Sequence, residues 1–283
     1  MDAPPPKAPL VVPNDLKPRV ASGVVLIAMA LTATYFGGFP FVAFWGLAAL
    51  GVAWEWQRLI GGGRLAARVA ACALGVIAAA PWALRAQAGL SLLMLILGAI
   101  AAGGAADPDR RARAGAGALY AGAAMLAPAL LRASPTQGLA AMLWLYAIVW
   151  GTDIGAYFGG RYFGGPKLWP AISPGKTWSG ALIGAIVSTV LAWLVAAAMV
   201  PGGVRAGPLL ALGLAASALS QGGDLYESAM KRRAGVKDSS RLIPGHGGLM
   251  DRLDGFIVAA AFAAAVAWAR SEGPWIAPGL LKW

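Results

Sequence analysis

Charge is what this sequence has least of. Asp, Glu, Lys and Arg make up 12% of its 283 residues, whereas an ordinary soluble domain carries about 25%, so a soluble fold of this length would lack the polar surface to cover itself. One cysteine, Cys72, stands in an apolar stretch. It excludes a disulfide framework and a Cys-rich metal site, and its expected role is packing. A single histidine, His246, cannot form a two-His zinc site. Acids number 12 against 23 basic residues, for a formal net charge of +11. The basic residues are dispersed between apolar runs with no binding module among them, which excludes nucleic acid as the partner. Their expected work is topology signalling and contact with anionic membrane lipids.

What is abundant is uninterrupted hydrocarbon. Charge-free runs cover Val20–Trp54, Val69–Leu84, Ala86–Ala106, Ala114–Leu131, Ala133–Thr152, Thr177–Val204, Ala206–Gly223 and Gly255–Ala269. Most are long enough to cross a hydrocarbon core of roughly 30 Å as a helix. The first run, at 35 residues, exceeds one span, and Gly37-Gly38-Phe39-Pro40 in its middle is a turn signal that divides it in two. The expectation is an all-α, polytopic membrane protein with about nine transmembrane helices. A transmembrane barrel is excluded, because its strands alternate polar and apolar residues and these runs are apolar on every face. Gly and Ala are frequent within the runs, which permits close helix approach in lipid.

Nine spans put the termini on opposite sides. With the N-terminus in the cytoplasm, 18 basic residues fall inside and five, Arg85, Arg132, Arg205, Arg270 and Lys282, fall outside, the asymmetry that the positive-inside rule demands. Residues 1–19, with six prolines and mixed charge, read as a disordered cytoplasmic tail. A cleaved signal peptide over Val20–Phe36 is disfavoured, since its loss would invert the charge pattern.

Six of the twelve acids lie between Asp153 and Asp254. An ionised carboxylate near hydrocarbon is costly unless it meets a cation, so these acids are functional candidates. Glu55, between Trp54 and Trp56 at a span end, reads instead as an interfacial belt position, and Asp107 and Asp109 sit among arginines in a polar loop. If the segment after Gly223 stays helical, Asp224, Glu227 and Lys231 share one face. Asp251 and Asp254 share a face at the start of the ninth span. Two adjacent antiparallel helices would bring both acid sets together at the cytoplasmic surface, where oxygen-only ligands suit Mg²⁺. Structural ion pairs with Lys231, Arg232 and Arg252 are the alternative account of any one acid. Taken together, acids on two consecutive helices, six basic residues in one short segment and a glycine-rich turn describe a site for a metal-bound polyphosphate.

The turn Pro244-Gly245-His246-Gly247-Gly248 needs glycine for backbone conformation alone, and His246 in it is a candidate proton carrier. Upstream, Ser173-Pro174-Gly175-Lys176-Thr177 is not a P-loop, because Pro170 stands where the first glycine is required and no strand is expected before it. Lys176 with its flanking hydroxyls could grip phosphate, or the segment could be a helix-entry loop with Ser/Pro capping chemistry.

The 27 residues from Ser228 to Asp254, with Lys231-Arg232, Lys237-Asp238, Pro244-Gly-His246-Gly-Gly and Asp251-Arg252-Leu-Asp254, resemble the phosphatidate cytidylyltransferase signature at each defining position. Thr152-Asp153 through Arg161, Ser173 through Trp178, and Gln221 through Ser228 are similar to the same family. The resemblance spans residues 137–283, taken as a catalytic membrane region. Residues 20–136 agree in helix count and character only. Family members commonly carry Lys or Asn at the position of Gly175 and Glu at that of Ser179, so those two positions depart from the pattern.

The resemblance implies transfer of CMP from CTP to phosphatidate with release of pyrophosphate. It implies a homodimer in the bacterial inner membrane with its site facing the cytoplasm, and Mg²⁺ with K⁺ as a second cation in one centre. It places metal on Asp224 and Asp251. Lys231, Arg232, Lys237 and Arg252 then fall to substrate phosphates, as do Ser173, Lys176 and Thr177. Asp153, Glu227, Asp238 and Asp254 organise the ligands around them, and His246 is placed near pyrophosphate or its metal. An ion or lipid transporter is the alternative class, but it predicts mid-membrane acids and inverted repeats, and the sequence has neither. A phosphoglycosyl transferase using a sugar nucleotide is the rival enzyme.

Overall fold

The structure, a computed structural model, describes residues 16–243 and 247–283. Among the described residues nine long helices run in order: α1 Leu16–Phe36, α2 Gly38–Leu59, α3 Leu65–Leu84, α4 Ala88–Ala105, α5 Arg111–Arg132, α6 Gly138–Phe163, α7 Trp178–Met199, α8 Ala206–Arg233 and α9 Met250–Ala269. A five-residue helix, α10 Ala277–Leu281, follows. Among the described residues seven of these helices, α2–α7 and α9, are long and apolar enough to span a membrane. Helix α1 adds the apolar segment Ala21–Phe36. Helix α8 is long but less apolar, because Ser220, Gln221 and Asp224 on it line the site described below. The molecule is an all-α integral membrane protein.

The predicted division of the first run is present: α1 ends and α2 begins at Gly37 and Gly38, both at positive φ (65° and 54°), where glycine carries no steric penalty. Arg132 at the end of α5 closes the joint. Its Nε donates to Thr34 O at 2.6 Å and a terminal nitrogen donates to Tyr35 O at 3.0 Å, so a cation satisfies the orphan carbonyls of the α1 C-terminus.

The small residues act as expected. A Cβ on Gly155 would lie 3.0 Å from Gly184 Cα, and one on Gly184 would lie 2.6 Å from Thr152 O. Helices α6 and α7 therefore touch backbone to backbone. Gly75 and Gly98 join α3 to α4 in the same way. Helix α9 packs against α2, α5, α6, α8 and α10. Phe256 on it stacks on Trp45 of α2, ring centroids 4.4 Å apart, with Tyr146 of α6 at 6.0 Å.

Three features differ from the sequence reading. Helix α1 starts at Leu16, so residues 16–19 are helical, while residues 1–15 lie outside the described residues. Helix α6 does not stop at Thr152 but continues to Phe163, putting Asp153 within a helix. The segment before α7 is a two-stranded antiparallel hairpin, β1 Lys167–Trp169 paired with β2 Ser173–Thr177, a small β element in the all-α fold. Thr177 then caps α7 by accepting from Gly180 N at 3.1 Å, so the segment does enter a helix as the helix-entry alternative anticipated, with Thr rather than Ser or Pro as the cap.

Candidate active site

The site lies where the C-terminal ends of α2, α6 and α8 meet the N-terminal ends of α7 and α9. Two cavities open there. One, of about 600 Å³, is lined by Asp153, Tyr157 and Arg161 of α6, by Lys167, Lys176 and Thr177 of the hairpin, and by Gln221 and Asp224 of α8. The other, of about 390 Å³, is lined by Asp153, Asp224, Lys231, Asp238, Asp251, Arg252 and Asp254. Asp153 and Asp224 line both, so the two cavities share a wall. The convergence expected for α8 and α9 is present: Asp224 and Asp251 face one cavity.

Their surroundings differ. Asp224 is partly exposed; one carboxylate oxygen pairs with Lys176 and the other accepts from Ser228 Oγ at 3.3 Å. Asp251 is crowded by donors. Lys231 Nζ lies 2.6 Å from Oδ1, and Oδ2 accepts from Gly248 N (2.8 Å), Ser239 N (3.0 Å) and Ser239 Oγ (3.1 Å). Lys231 also pairs with Glu227, which is 2% exposed. The ion-pair alternative thus describes Lys231 as it stands: it pairs with Glu227 within α8 and ties α8 to α9 through Asp251. Asp254 accepts from Gly255 N at 2.7 Å, and its backbone carbonyl accepts from Tyr120 of α5 at 3.2 Å.

Other candidates are placed less centrally. Arg232 is exposed, and its Nε donates to Ile172 O in the hairpin turn at 3.5 Å. Lys237 is exposed and Ser173 half-buried, and neither lines a cavity described above. His246, Pro244 and Gly245 lie outside the described residues. Gly247 has φ +82°, as a turn glycine requires, but Gly248 is small for another reason. A Cβ there would fall 1.9 Å from Ser239 Oγ and 2.7 Å from Glu55 Oε1. At the two departures from the family pattern, a Cβ on Gly175 would meet nothing within 4 Å, and Ser179 Oγ donates to Gly164 O.

Glu55 is the correction of most weight. The belt reading would leave it at the lipid–water boundary, yet it is 0% exposed. Its carboxylate accepts Ser240 Oγ (2.5 Å) and Leu249 N (2.8 Å) on Oε1, and Ser239 Oγ (3.1 Å) and Met250 N (2.6 Å) on Oε2. The signal available in the sequence was a lone acid in a long apolar run, which by the rule applied to the other acids marked it as a candidate.

Among the described residues no three acidic, His or Cys side chains cluster closely enough to hold a metal alone. The carboxylate donors of the second cavity still fit Mg²⁺, which takes one or two carboxylates and completes its shell with water and substrate phosphates.

Residues 17–269 match the Cytidylyltransferase family. The chain belongs to it. This cytidylyltransferase, a nucleotidyltransferase by family, is 39% identical over 249 residues to a phosphatidate cytidylyltransferase of Brucella suis, covering 88% of this chain and 92% of that one. It is 38% identical over 277 residues to a protein of the same name from Pseudomonas aeruginosa, covering 91% and 99%. A Haemophilus influenzae phosphatidate cytidylyltransferase matches at 45% over 131 residues, 45% of this chain and 46% of that one.

Proposed function

We propose that this cytidylyltransferase transfers CMP from CTP to phosphatidate, giving CDP-diacylglycerol and pyrophosphate. The observation that carries this reading is the pair of cavities sharing Asp153 and Asp224, which lets two phosphate-bearing substrates meet at one wall. The names of its relatives supply the substrate pair. A phosphate oxygen of phosphatidate attacks the α-phosphorus of CTP; that P–O bond forms as the bond to the α,β-bridging oxygen breaks, and pyrophosphate leaves with the electron pair. The attacking oxygen is already anionic, so no strong base is required, and catalysis rests on positioning and charge neutralisation.

Asp224 and Asp251 would hold Mg²⁺. Bound there, the ion supplies charge neutralisation on phosphate oxygens. Lys176, Lys231 and Arg252 bring cations to the same wall, and Asp153, Asp238 and Asp254 set the field in which they sit. The basic loops at this end of the bundle, with Arg58, Arg64, Arg110, Arg111 and Arg113, orient it toward the cytoplasm, where CTP is available.

The test is incubation of purified protein with labelled CTP, phosphatidate and Mg²⁺, with and without K⁺. Label moves into a lipid-soluble nucleotide, pyrophosphate appears in equal amount, and EDTA stops both until Mg²⁺ is returned. Product from a sugar nucleotide alone would reject the assignment.

A further inference from the structure

We infer that Glu55, on a helix outside the signature, is a positioning residue for the transferase: it sets the signature loop and the first turn of α9 on which Asp251 stands. The functional part of this inference rests on the reaction proposed above; the structural part does not.

Helix α9 begins at Met250 without a capping side chain of its own. Its leading amides, Leu249 N and Met250 N, donate to Glu55, one to each oxygen. A carboxylate from another helix thus does the work of an N-cap, and its charge faces the positive end of the α9 dipole. The remaining acceptor capacity takes Ser239 Oγ and Ser240 Oγ from the loop, so each oxygen holds one helix amide and one loop hydroxyl. Ser240 is itself fixed, since its hydroxyl also accepts Leu242 N at 3.0 Å. Four donor groups face the two oxygens, at 0% exposure and with no cation within ion-pairing distance among the described residues. Neutral donors alone therefore stabilise this buried charge, and each loss would be felt.

The link to the site is Ser239. Its hydroxyl lies 3.1 Å from Glu55 Oε2 and 3.1 Å from Asp251 Oδ2. It has one proton, so it donates to one carboxylate at a time. Its backbone N–H donates to Asp251 as well. Moving Glu55 therefore moves Ser239, and moving Ser239 re-aims Asp251. Gly248 makes the arrangement possible, because any side chain there would occupy the space where Ser239 and Glu55 meet.

The test uses the full-length protein in detergent micelles or nanodiscs and the variants Glu55→Gln and Ser240→Ala, measured by hydrogen exchange and by turnover. Glu55→Gln places an amide NH₂ against N–H and O–H donors while preserving shape. Exchange at the Leu249 and Met250 amides should rise about tenfold, with the interior of α9 and the other helices unchanged. Turnover should fall about 10- to 100-fold, and the Mg²⁺ concentration for half-maximal activity should rise about tenfold, while KM for phosphatidate holds within about twofold. Ser240→Ala, which removes one donor and folds even if the first variant does not, should move both readouts in the same direction by less. Unchanged exchange and unchanged turnover in Glu55→Gln would overturn the inference. So would faster exchange throughout the bundle in both variants, which marks a purely structural role, and so would altered loop exchange with normal turnover and normal Mg²⁺ requirement. If the wild-type chain makes no CDP-diacylglycerol, the proposed reaction fails while exchange at Leu249 and Met250 still decides whether Glu55 holds the loop.

Discussion

Glu55 and Asp224 stand at the same end of the bundle, on α2 and α8, and each is a carboxylate at the edge of hydrocarbon. Glu55 is sealed from solvent and faced by two hydroxyls and two backbone amides. Asp224 is partly exposed, has one lysine and one serine, and forms part of the wall of two cavities. The contrast separates two uses of the same chemistry. A carboxylate whose oxygens are faced by donors of its own chain organises structure, whereas one left open toward a cavity is available to a ligand. Asp251 stands between them, facing the cavity while gripped by the loop.

The sharpest way to break this comparison is to neutralise the open member. Asp224→Asn should reduce turnover about a thousandfold, with thermal unfolding close to that of the parent, because its ion pair with Lys176 is partly exposed and contributes little to the fold. Near-normal activity in the CTP–phosphatidate assay would refute its assignment. Lys176→Ala should lower turnover about a hundredfold, again without loss of stability in a melting curve. The helix seam should behave in the opposite manner. Gly184→Ala forces a methyl against Thr152 O and should cost about 1–3 kcal/mol of stability, seen as earlier unfolding in a thermal scan, before any effect on affinity for CTP. Smallest of all, Asp109→Ala removes exposed pairs with Arg110 and Arg113. Activity and melting temperature should stay within error, the stability change being under about 0.5 kcal/mol.

Much of this architecture was legible in the sequence because membrane spans announce themselves by what they exclude. The charge-free runs located the nine long helices, and Gly37-Gly38 located the one joint that no charge marks. The pairing of acids on α8 and α9 followed from helical spacing together with the adjacency expected of two consecutive antiparallel spans. What could not be read was anything set by contact between distant segments. The donors that face Glu55 lie 184 to 195 positions away, so nothing local to Trp54-Glu55-Trp56 distinguishes a buried clamp from an interfacial belt. The hairpin was hidden for the reverse reason: its strands are only three and five residues long, too short for an alternating pattern to register. The continuation of α6 past Asp153 was obscured because a carboxylate in a helix reads, in sequence, as the end of a span.

One residue before Asp153, Thr152 Oγ1 meets Ser217 Oγ of α8 at 2.7 Å and Ser188 Oγ of α7 at 3.0 Å, all three buried. In surroundings where water offers no competing partner, this knot of hydroxyls pins three helices at a single level. The acidic wall therefore stands directly above a point where α6, α7 and α8 are held to one another. Because Thr152 also lines the larger cavity, changes at the knot should alter both how firmly the bundle holds together and the shape of the space above it.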